Sequence, residues 1–139
     1  MKDEAFSEFE GDQRMEGGIY TAAELWCTDP AAAKAQYGPI ASWNTSEITD
    51  MRWLFMGKAG FNEDISRWDV SNVTSLKCTF RGATSFNGDL SRWDVSNFTS
   101  LRNTFYDANS FDQQLGGAWA RSTADKTGMF RSSPGSIEG

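Results

Sequence analysis

The sequence predicts an α/β solenoid of about four 25-residue coils, each a short strand followed by a short helix, behind an N-terminal helical cap. Three observations carry that prediction. Phe55, Phe80, Phe105 and Phe130 recur at a fixed step of 25, as do Phe61, Phe86 and Phe111. Ile40, Ile65, Leu90 and Leu115 keep the same step, with Trp43, Trp68 and Trp93, with Ile48, Val73 and Phe98, and with Met51, Leu76 and Leu101. Polar residues repeat too: Phe61-Asn-Glu-Asp-Ile-Ser-Arg-Trp-Asp-Val-Ser-Asn-Val-Thr-Ser-Leu76 aligns with Phe86-Asn-Gly-Asp-Leu-Ser-Arg-Trp-Asp-Val-Ser-Asn-Phe-Thr-Ser-Leu101. Such columns become a continuous core only when neighbouring repeats stack.

Within one repeat, Arg67-Trp68-Asp69-Val70-Ser71 alternates polar and apolar residues. That is the pattern of a strand with Trp68 and Val70 inward and Arg67, Asp69 and Ser71 outward, in a parallel sheet. Val73, Leu76 and Phe80 then fall at i, i+3 and i+7, which predicts a helix over 72–82 capped by Ser71 or Asn72. Gly82 to Gly88 reads as a turn-rich return. The fourth copy is degenerate, because its Trp119 comes one place late and Lys126 replaces the leucine.

The chain divides accordingly into an acidic leader (1–18), a helical cap (19–38), the repeats (39–130) and a tail or linker (131–139). In the cap, Pro30 suits a first helical position and Gly38 a stop. A chain of 139 residues suits one domain, which at this size buries about 68% of its unfolded surface. Net charge is −6, and residues 1–38 hold eight acidic against three basic side chains. An acidic chain argues against nucleic acid as a partner, because phosphate binding draws on Lys and Arg. No apolar run approaches the length of a membrane span, and Met1-Lys2-Asp3-Glu4 does not open a signal peptide.

The run Trp68-Asp-Val-Ser-Asn-Val-Thr-Ser-Leu76, with Phe80 and Ala83-Thr-Ser-Phe-Asn87, resembles the repeat of BspA-type leucine-rich-repeat surface proteins. The resemblance covers about residues 37–115 well and 116–130 poorly. It implies a leucine-rich-repeat-like fold and an extracellular or cell-surface adhesion module, with many members of no known activity.

The chain has no histidine, which removes Ser-His-Asp and Cys-His catalysis and every His-containing metal site. Cys78 shares a variable column with Trp53 and Asn103, the place of an inert thiol, and pairing of Cys27 with Cys78 is left open. Asp64 with Asp89, and Asp69 with Asp94, stack at the coil step and repel. Arg67 and Arg92 are the expected partners, and a calcium site is the alternative. Asn44, Asn72 and Asn97 head glycosylation sequons, but a helix cap or an internal hydrogen-bond ladder is the plainer role. No catalytic residue, cofactor or metal is therefore expected. The expected function is noncatalytic binding of a protein or glycan partner through the outward face Arg67, Asp69, Ser71, Arg92, Asp94 and Ser96. A structural subunit of a larger assembly is the alternative, which exposed Trp53 or Tyr106 would favour, and an enzyme comes last.

Overall fold

A computed structural model describes residues 18–138. The acidic leader therefore lies outside the described residues, except for Gly18, which opens the first helix. Helix α1 (Gly18–Thr28) buries Ile19, Ala22 and Ala23 against the first repeat. Helix α2 (Pro30–Tyr37) begins at Pro30, where a missing N–H costs nothing, and Asp29 caps it by accepting from the Ala32 N–H at 3.1 Å. Gly38, at φ +83°, ends it.

From residue 43 to 113 the chain holds neither a helix nor a strand of more than an isolated bridge. The helix expected over 72–82 is absent, and so is the strand expected over 67–71. Instead the segment 76–83 consists of two consecutive four-residue turns. Thr79 N–H donates to the Leu76 carbonyl, and Ala83 N–H to that of Phe80, both at 3.0 Å. The first and third repeats match, with Leu54 to Met51 and Lys58 to Phe55, then Thr104 to Leu101 and Ala108 to Phe105. The third residue of every such turn is left-handed: Trp53, Cys78, Asn103 and Gly128 in one column, Gly57, Gly82, Asp107 and Ser132 in the next. A left-handed residue every fourth position cannot continue an α-helix, because every residue of a helix must be right-handed. The turn step of four also explains the misreading, since it buries Leu76 and Phe80 at nearly the helical spacing.

Between repeats these turns form a ladder. Met51, Trp53, Phe55 and Gly57 donate their N–H groups to the carbonyls of Ser75, Lys77, Thr79 and Arg81. Leu76, Cys78, Phe80 and Gly82 donate onward to Ser100, Arg102, Thr104 and Tyr106, and the third repeat continues to Asp125, Thr127, Met129 and Arg131. The pairing is parallel at Asp50, Ser75, Ser100 and Asp125, so it runs through the segment read as helix and not the one read as strand. We infer that this ladder makes the repeats a short solenoid of turns.

Side chains fill the interior in columns. The Phe55, Phe80, Phe105 and Phe130 rings stack with centroids 5.6–5.8 Å apart. Phe61, Phe86 and Phe111 stack beside them. Each buried tryptophan has its indole N–H satisfied by an earlier carbonyl: Trp68 by Ile40, Trp93 by Ile65 and Trp119 by Leu90, at 2.8–3.0 Å. Trp119 thus reaches its column despite arriving one residue late. The extra residue is absorbed where Gly117, at φ +55°, turns into the single helical turn α3 (Ala118–Arg121). Two parallel two-residue strands, β1 (Gln114–Leu115) and β2 (Ser136–Ile137), bind the tail to the last repeat.

Candidate functional site

The six residues expected to form the binding face lie on one rim of the repeats, Ser71 half-buried and the other five exposed, while Trp68, Val70, Trp93 and Val95 between them are buried. The inside–outside alternation thus holds without a strand to produce it. Turns produce it, with Trp68 N–H donating to the Ile65 carbonyl and Val73 N–H to that of Val70. Neighbouring repeats are joined along the rim by Asn72, whose side-chain amide donates to the Ser46 carbonyl, and by Asn97, which donates to that of Ser71. The sequon asparagines 72 and 97 therefore serve as rungs, not as helix caps.

Asp64, Asp69, Asp89 and Asp94 make no ion pair with Arg67 or Arg92. Asp69 accepts from the Ser71 N–H and hydroxyl at 3.0 and 2.6 Å, and Asp94 from those of Ser96 at 3.1 and 2.6 Å. Asp64 with Ser66 and Asp125 with Thr127 repeat the motif. An aspartate two residues before a serine closes a local turn at short range, and this nearer donor wins over a long, solvated arginine. The hydroxyls, then the backbone N–H groups, hold Asp64, Asp89, Asp94 and Asp125 below the ordinary carboxylate range. Arg67 and Arg92 are left exposed, with no carboxylate oxygen of the described residues at ion-pairing distance. The rim is thus a row of fixed carboxylates interleaved with exposed guanidinium groups, which lie near enough to Asp64 and Asp89 to help hold those carboxyls down without an ion-pair contact.

A second polar row runs over the turn ladder. The Arg81 guanidinium lies 4.3 Å from the centre of the Tyr106 ring, with Arg131 at 5.9 Å on the same ring. Arg102 stands 3.8 Å from Asp125, and Arg52 pairs with Asp50 at 2.8 Å. Trp53 and Tyr106 are both half-buried, covered in part by these arginines.

Among the described residues no group of three or more Cys, Asp or Glu side chains is placed to hold a metal ion. Both cysteines are free thiols. Cys78 is fully inside the core, deeper than its variable column suggests, and burial pushes the Cys27 thiol upward, away from a reactive thiolate. No helix among the described residues is long and apolar enough to cross a membrane.

A family profile described as "Mycoplasma protein of unknown function, DUF285" matches residues 28–136, from the end of α1 to the tail. No curated protein and no solved structure matches the chain significantly.

Proposed function

The chain belongs to the DUF285 family, and we propose that within it this protein is a noncatalytic binding or adhesion module that presents the rim Arg67, Asp69, Ser71, Arg92, Asp94 and Ser96 to a protein or glycan. The observation that carries the reading is the immobilised carboxylate row. Asp69 and Asp94 are held by the same two hydrogen bonds in consecutive repeats, so a partner meets charges already fixed in place and loses little side-chain entropy on binding. The exposed Arg67 and Arg92, which make no ion pair among the described residues, add donors with planar geometry, suited to carboxylates of a protein or an acidic sugar. The repeat sequence supports the finer reading as a BspA-type leucine-rich-repeat protein working at the cell surface or outside the cell.

Arg67→Glu combined with Arg92→Glu tests this. The wild type and the double variant are compared on a glycan array and against the surface-protein fraction of the source organism, after circular dichroism shows both are folded. Retention by the wild type and loss by the variant supports the rim. Equal binding by the folded variant removes it.

A further inference from the structure

The row of carbonyls that starts the ladder is only half covered. In the second and third repeats the carbonyls of Thr79, Arg81, Thr104 and Tyr106 each accept a backbone N–H from the repeat before, at 2.7–2.9 Å. Their counterparts in the first repeat are Leu54 and Met56, which no repeat precedes. Helix α1 stands there instead, and its N–H groups from the second turn onward serve its own helix. The Tyr20 hydroxyl reaches the Arg52 carbonyl at 2.7 Å and that of Asp50 at 3.3 Å, which covers the first half of the row. Leu54 and Met56 accept no hydrogen bond from any described residue.

These two carbonyls belong to residues lining a groove of about 510 Å³ between α1 and the first repeat, within the size range of built ligand sites. Leu25 and Met56 supply apolar wall, and Met56 is 45% exposed, the one large hydrophobic side chain so exposed among the described residues. Thr21 also lines it, with a hydroxyl that is buried and has no hydrogen-bond partner among the described residues. A buried hydroxyl left unsatisfied costs free energy that a ligand donor or acceptor recovers. Glu24 and Lys58 pair with each other at the groove.

We propose that this groove, a site apart from the charged rim, binds a peptide segment of a partner protein that takes up the turn conformation of the repeats and continues the ladder by donating two N–H groups, two residues apart, to the Leu54 and Met56 carbonyls. The row offers acceptors alone, unlike an ordinary sheet edge, where donors and acceptors alternate. The peptide must therefore bring donors at alternate positions, with an apolar side chain to lie on Leu25 and Met56. Main-chain bonds of this kind supply affinity, and side-chain pockets supply selectivity.

The probe is a fluorescein-labelled peptide of residues 98–108, which carries such a donor row at Leu101, Asn103, Phe105 and Asp107. Its binding to the full chain is followed by anisotropy. Saturable binding is expected, weakened by about tenfold or more when the peptide is N-methylated at Phe105 and Asp107, since two hydrogen bonds of ordinary net strength are removed. Met56→Glu, at an exposed position, and Leu25→Glu should weaken it similarly, with circular dichroism confirming the fold. Arg67→Glu with Arg92→Glu should leave it unchanged, which separates this site from the rim. Equal binding of the methylated peptide, no binding at about 1 mM, or self-association of the chain that the peptide displaces would each overturn the proposal, the last by making a second copy the occupant.

Discussion

Replacing Gly57 or Gly82 with alanine should destabilise the protein, whereas a helix over these segments would make the same changes stabilising. In a helix, alanine is better than glycine by roughly 0.5–1 kcal/mol. In the turn ladder Gly57 has φ +73° and Gly82 φ +72°, where an added Cβ costs roughly 1–2 kcal/mol per residue. Contacts do not confuse the sign. A Cβ at Gly57 meets nothing within 4 Å, and one at Gly82 meets only Gly57 backbone atoms at an ordinary 3.6 Å. Gly60 is the control, three residues away, with no positive φ and open space around its Cβ position. Gly60→Ala should be neutral or stabilising by about 0.4–1 kcal/mol, through the unfolded chain. Urea unfolding of the four proteins, with midpoints compared at constant slope, reads the differences directly. In a thermal scan each destabilised variant should melt roughly 3–6 °C lower. Unchanged or raised stability in both Gly57→Ala and Gly82→Ala would refute the turn assignment.

Leu76→Ala and Leu101→Ala should each cost about 2–5 kcal/mol by urea unfolding, because both side chains are fully buried. Thr79→Val keeps the shape but removes a hydroxyl that donates to the Met51 carbonyl at 2.8 Å inside the core, and should cost about 1 kcal/mol by the same assay. Acid should destabilise the protein. Asp64, Asp89, Asp94 and Asp125 are held below their ordinary values in the folded state, so their contribution is full above the unfolded pKa of about 4 and is lost as pH falls through the lower folded values. Ser66→Ala with Ser96→Ala should flatten that loss in urea midpoints measured from pH 6 to pH 2.

The columns of the core were legible because apolar periodicity marks burial whatever the backbone does. Phe55, Phe80 and Phe105 stack as the step of 25 requires, and Trp68 and Val70 point inward without a strand. Backbone conformation was not legible, because a turn every four residues and a helix of 3.6 per turn place Leu76 and Phe80 alike. The signal that separates them is the pair of left-handed columns. Gly57, Gly82 and Asp107 advertise one of them, but Trp53 and Cys78 conceal the other, since neither residue type favours positive φ. Asp69-Val-Ser71 and Asp94-Val-Ser96 carried a readable turn signature, which the nearby arginines drew attention away from. The groove had no signature at all, since it depends on where α1 comes to rest against residues some 30 positions later.

Four rows of the ladder run in one sense, each amide hydrogen pointing from an earlier repeat to a later carbonyl, and one row, through Thr49, Thr74 and Thr99, runs against them. Peptide dipoles aligned head to tail sum, as they do along an α-helix. The stack is therefore electrically polar along its own axis, with partial positive charge emerging at the fourth repeat and partial negative charge at the first. Because the backbone carries it, this polarity survives the substitution of any side chain and favours anions at one end and cations at the other.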